Sequence, residues 1–210
     1  MSFRKTVLVV ATTNPGKARE IRAALRGLPV RVLSAAEAGL RKAPPERGTT
    51  FEENARAKSL FYSRRTPHLT LAEDSGLEVA ALGGRPGVRS ARFSGRGATD
   101  ARNVERVLRL LKGVPPSRRR ARFVCRMVLS REGRVLKSAG GDVRGTIAQE
   151  PRGRGGFGYD PIFYYHPLRR TFAEISGWRK NAVSHRGRAL ARMRRFLETT
   201  LGGRASVPRH

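Results

Sequence analysis

The stretch "TVLVVATTNPGKAREIRAAL", residues 6 to 25, sets a continuous apolar run directly before a short polar turn and a helical segment. The apolar run reads as a buried strand over Val7 to Ala11. The helix should begin at Pro15, since proline suits the first helical turn, and run to Leu28. A strand feeding a helix in this way constrains the chain to an α/β fold. It also brings the segment Thr12, Thr13, Asn14, Pro15, Gly16 and Lys17 to a helix N-terminus, where backbone amides favour an anion. This is not the common phosphate loop, which needs four residues between a first glycine and Gly-Lys-Ser/Thr. Here there is one glycine, Gly16, and Lys17 is followed by Ala18.

The rest of the chain interleaves strands and helices. "VRVLSAA" is a second short strand, followed by a loop with Pro44 and Pro45. Thr50-x-x-Glu53 is a capping box that opens a helix from Phe51 to about Arg65. "LTLAED" is a strand ending on Glu73 and Asp74, and a glycine-punctuated connection follows it. Ala98 to Leu111 is helical. "ARFVCRMVLS" and "RVLKSAGGDV" flank "REG" and alternate with period two, as a hairpin does. "EPRGRGGFGYD" is a glycine loop before the strand "PIFYY". A final helix carries Ala182, Ala189, Leu190, Met193, Phe196 and Leu197 on one stripe. Residues 1–201 read as one α/β domain with a mixed sheet, and residues 202–210 as a flexible tail.

Composition adds one anomaly. Forty-four basic residues against 16 acidic ones give a formal charge of +28. Such a chain invites a nucleic-acid reading, because polycations bind phosphate polymers by counterion release. Only seven of the 44 are lysines, so the other 37 are arginines, spread over every segment. A bias that general also fits a compositional origin, and runs such as "SRRRAR" read as solvated faces. Nucleic-acid binding would then be incidental and salt-sensitive. No apolar run approaches the roughly 20 residues of a membrane span, and Val7 to Ala11 is too short for a signal-peptide core. Cys125 is the one cysteine, so no internal disulfide forms; it reads as a small buried hydrophobe in a cytoplasmic protein.

Against an arginine background the few lysines and acids are informative. Lys17 opposes the macrodipole at its helix start and gains nothing locally, so it is either an exposed lysine or a phosphate contact. Lys58 interrupts the stripe Phe51, Ala55, Tyr62, and either snorkels outward or meets a buried partner or ligand. Glu73 and Asp74 end a strand, where α/β folds place ligand sites. They suit either arginine partners or Mg²⁺, a cation of oxygen ligands. Glu46 could converge on them. In "GGFGYDPIF" and "KNAVSHRGRAL", Phe157 and Tyr159 offer stacking faces or core rings, and Lys180, His185 and Arg186 cluster as donors.

The blocks strand-TTNPGK, E-x-G-x-T-F-x-E-N-A-x-x-K, EDSGL, GGFGYDP and KNAVSHRG occur in this order, and with them the chain resembles the inosine triphosphate pyrophosphatase family from about Val7 to Leu197. The resemblance implies an elongated mixed sheet flanked by helices, two lobes with an active-site cleft between them, and a homodimer. It implies Mg²⁺-dependent hydrolysis of ITP, dITP and XTP to the monophosphate and pyrophosphate, which cleanses the nucleotide pool. It assigns Asp74 to the metal and the proton-accepting role, Glu46 to the metal, and Lys17 and Lys58 to the phosphates. Residues 12–17 and Ser75 would contact substrate, and Phe157, Gly158, Tyr159, Asp160, Lys180, His185 and Arg186 would form the base pocket. A related pyrophosphatase of this fold prefers pyrimidines; the SHRG block argues against it.

Overall fold

The computed structural model describes residues 5–40 and 42–202. Its strands are β1 (Thr6–Ala11), β2 (Val30–Ser34), β3 (Leu69–Val79), β4 (Arg120–Arg131), β5 (Arg134–Ile147), β6 (Phe163–Tyr165) and β7 (Arg170–Thr171). Its helices are α1 (Pro15–Ala24), α2 (Phe51–Ser63), α3 (Asp100–Leu110), α4 (Gly177–Val183) and α5 (His185–Gly202). The strands form one sheet in the order β2-β1-β3-β4-β5-β6-β7. β1 runs parallel to β2 and β3, while β6 runs antiparallel to β5 and β7. The α/β class with a mixed sheet is therefore as expected. Apart from Gly202, the tail expected at 202–210 lies outside the described residues.

The chain divides into two compact units. The first comprises residues 1–74, 126–140 and 188–210; the second comprises 75–125 and 141–187. In the first, Val9, Ala11, Ala35, Tyr62 and Ala72 close a core. In the second, Leu77, Val107, Leu111, Phe123, Ile162, Phe163 and Phe172 do so. Cys125 is buried, as its alternation implied.

Local rules explain the boundaries. Asn14 caps α1 by accepting from the Lys17 amide at 3.0 Å. The helix stops at Ala24 rather than Leu28: Leu25 leaves helical backbone and Gly27, at φ 88°, turns the chain before Pro29. The Thr50–Glu53 capping box is present in full at the start of α2. The hairpin turns on Glu132 and Gly133, both at positive φ, the combination that a tight two-residue turn requires.

Two further boundaries differ from expectation. β3 does not end at Asp74 but continues to Val79, so Glu73 and Asp74 sit within a strand. Gly76 does not break it; a side chain there would collide with Ser90, whose hydroxyl accepts from the Leu77 amide at 2.9 Å. The single final helix is two. Ser184 leaves helical backbone and caps α5 by accepting from the Gly187 amide at 3.1 Å, while Ala182 falls in α4 and is exposed.

Candidate active site

Two constellations emerge, one in each unit. In the first, the βα turn and α1 bring Lys17 to Glu73, Nζ to Oε1 at 3.0 Å; the Glu73 side chain is 1% exposed. α2 carries Asn54 and Lys58 on one side, as a spacing of four residues dictates. Lys58 Nζ donates to Glu46 Oε1 at 2.6 Å and to the backbone oxygen of Glu73 at 3.4 Å. Asn54 Nδ2 donates to Asp74 Oδ2 at 3.0 Å and Asn54 Oδ1 accepts from the Gly48 amide at 2.8 Å. Asp74 is buried, and that burial raises its pKa above the ordinary carboxylate value; Lys17, Lys58 and the Asn54 hydrogen bond act against the rise. Lys58 is thus no snorkelling lysine. Of the turn, Thr12 accepts from the Asn14 amide at 3.2 Å, Thr13 and Pro15 are exposed, and Gly16 is buried.

Among the described residues no group of three or more His, Cys, Asp or Glu side chains is arranged to hold a metal. Glu46 is committed to Lys58 and Glu73 to Lys17. Asp74 offers a hard carboxylate with a neutral amide at one oxygen. That donor set suits a small hard cation that draws its other ligands from water and from substrate phosphate.

In the second unit, Asp160, 2% exposed, pairs with Lys180 and accepts from the Phe157 amide at 2.9 Å. Phe157 is half-buried, with Lys180 Nζ 4.5 Å and Arg186 Cζ 5.3 Å from its ring centroid. Arg186, 2% exposed, donates to Ser75 Oγ at 2.8 Å. A buried guanidinium and ammonium beside an aromatic ring supply donors suited to an oxygen-bearing ring. Ser184 caps α5, so His185 and Arg186 are its first turn; Gly187 lacks a side chain because the Asn181 backbone occupies that space. His185 stacks on Phe123 with centroids 4.6 Å apart. Of the two alternatives for Tyr159 the structure takes the core one: its ring is core, and its hydroxyl donates to Ser90 O at 2.7 Å. Burial pushes that phenol's pKa up.

The Ham1 family model matches residues 8–196. The chain belongs to the Ham1 family. A dITP/XTP pyrophosphatase of Bacillus subtilis is 44% identical over 190 residues, 90% of this chain and 96% of that protein. A HAM1 protein structure from Coxiella burnetii superposes with a TM-score of 0.84 at 40% identity, covering 92% of this chain and 99% of that one. The Mycobacterium abscessus nucleoside-triphosphatase / dITP/XTP pyrophosphatase gives a TM-score of 0.71 at 42% identity, covering 90% and 98%. The Ham1 match spans both constellations.

Sequence reasoning assigned no role to two members of the first constellation: Asn54, and Glu73, which it named only as one of two acids ending the strand. Asn54 could have been found from its place one turn before Lys58. For Glu73, two adjacent acids in a strand point to opposite faces, and nothing local says that α1 sends a lysine to the other one.

Proposed function

We propose that this chain hydrolyses ITP, dITP and XTP to the monophosphate and pyrophosphate. The observation that carries the reading is Asp74, a buried carboxylate flanked by the cations of Lys17 and Lys58. Membership of a family whose relatives bear pyrophosphatase names supports it. The bond that breaks joins the α-phosphorus to the bridging oxygen toward the β-phosphorus. Asp74 takes the proton of the attacking water, a task favoured by a carboxylate whose pKa burial has raised. Lys17 and Lys58 stabilise the charge gathering on the leaving pyrophosphate. Residues 12–17 present helix-start amides to the phosphates. Mg²⁺ held by Asp74, with Glu46 next to it, would neutralise the triphosphate.

Base choice falls to the second constellation. Lys180, His185 and Arg186 offer donors to a 6-oxo group, Ser75 orients Arg186, and Phe157 stacks on the ring. Gly158 and Asp160 hold the loop, and Tyr159 anchors it in the core. No described helix is long and apolar enough to cross a membrane. A cytoplasmic homodimer completes the reading.

Hydrolysis in ¹⁸O-labelled water tests the chemistry. Label in the monophosphate is expected; label in pyrophosphate, or release of orthophosphate with a diphosphate, would overturn the reading.

A further inference from the structure

The loop that carries Phe157 is tethered by carboxylates on both sides. Phe157 N–H donates to Asp160, which Lys180 also holds. The next amide, Gly158 N–H, donates to Asp100 Oδ2 at 2.7 Å. Asp100 is the first residue of α3, and that helix already has its cap: Thr99 Oγ1 accepts from the Arg102 amide at 3.2 Å. The Asp100 carboxylate therefore reaches out of its own helix to a loop 58 residues away in sequence.

The loop borders an open cleft of about 480 Å³, lined by Asp100, Val104 and Leu108 of α3 and by Pro151, Gly156 and Phe157. A segment whose one side faces solvent gains little position from packing there. Its hydrogen bonds then decide where its side chains stand, and a bond from an amide to a carboxylate is about twice as strong as a neutral one. The position matters. The Phe157 ring lies 5.3 Å from the Arg186 guanidinium carbon. Gly158, at φ 64°, is the residue where the backbone turns.

We propose that Asp100 is a positioning residue for base recognition: through the Gly158 amide it sets the rest position of the Phe157 ring on which a purine stacks. This rests on the nucleotide reading above. Phe157 would touch the base; Asp100 would act through it.

Three variants separate this role from a structural one. Asp100→Ala removes the acceptor, Asp100→Asn keeps an acceptor oxygen, and Thr99→Ala weakens the same helix end without touching the loop. Amide exchange at Gly158 is measured in the nucleotide-free protein, and kcat and KM are measured with ITP. Asp100→Ala should speed that exchange and raise KM about tenfold, with kcat within about threefold. Asp100→Asn should restore both to within about threefold, and Thr99→Ala should lower Tm while leaving both unchanged. Unaltered exchange and KM in Asp100→Ala, equal changes in Thr99→Ala, or an Asn variant as impaired as the Ala one would overturn the proposal. A wild-type protein that does not turn over ITP would sink the functional reading and this inference with it. A normal wild type with an unaffected Asp100→Ala would sink this inference alone.

Discussion

Asn54 Nδ2 and Asp74 Oδ2 meet at 3.0 Å, joining α2 to the middle of β3. The bond fixes one oxygen of a carboxyl group that burial, above all, pushes toward its protonated form. A carboxyl whose folded pKa is raised binds its proton more tightly in the folded state. The stability it contributes is fully present below the unfolded carboxylate value and is lost as pH rises through the raised folded value. At neutral pH, ionised Asp74 is therefore a cost to the fold. Asp74→Asn should melt no lower than the parent in the metal-free protein, and up to a few degrees higher. Hydrolysis should fall by about 10²–10⁴-fold. Calorimetry with turnover at saturating Mg²⁺ checks this; a variant that melts lower and keeps more than about a tenth of turnover would make the group structural.

The same sign governs activity. Asp74 must be ionised to accept a proton, so at limiting Mg²⁺, where the cation does not pull the group down, the acid limb of log kcat/KM should lie above the ordinary carboxylate range. Asn54→Ala removes a hydrogen bond that lowers the pKa and should push that limb to higher pH. A pH profile that stays in place, or moves down, contradicts the role given to Asn54.

Lys17 and Glu73 separate stability from function. Lys17→Met takes the cation from a carboxylate that is 1% exposed, while the lysine itself is 18% exposed. The cost should fall below that of a fully buried pair, at about 1–3 kcal/mol. Adding Glu73→Gln should recover most of the lost Tm and none of the lost turnover. Thermal melts and kinetics of the single and double variants decide it; recovery of both would make the pair purely structural.

Where sequence and structure agree, short-range physics suffices. The Asn14 and Thr50 caps, the buried β1 and the hairpin each follow from a few neighbouring residues. Two of the misplaced boundaries depend on distant partners. Gly76 looks like a break until Ser90 is seen to occupy its missing side-chain space, and Ser184 looks helical until its hydroxyl caps the next helix. The site behaves alike. Lys58 could be singled out because it interrupts an apolar stripe, whereas Tyr159 stays open between stacking face and core ring because nothing near it shows that its hydroxyl bonds Ser90, 69 residues earlier. Asp100 carried no local signal at all.

The formal charge of +28 should give salt-dependent, sequence-independent DNA binding. Retention at roughly 50 mM salt and release by a few hundred millimolar are expected, because counterion release drives such binding. A filter-binding series over salt, with two unrelated duplexes, measures it. Sequence-selective binding that persists at physiological salt would assign the basic surface a function of its own.

Base selection is the central claim. Adenine presents a 6-amino donor to the buried donors Lys180 and Arg186, where hypoxanthine and xanthine present an acceptor. Each such mismatch costs about 1–3 kcal/mol, so two give roughly 10²–10⁴ in kcat/KM. Guanine shares the 6-oxo group and should be rejected less firmly than adenine. The direct measurement is pyrophosphate release with purified protein and Mg²⁺, comparing kcat/KM for ITP, dITP, XTP, GTP and ATP. The account predicts ITP, dITP and XTP well above GTP, with ATP lowest; ATP turned over as efficiently as ITP would contradict it.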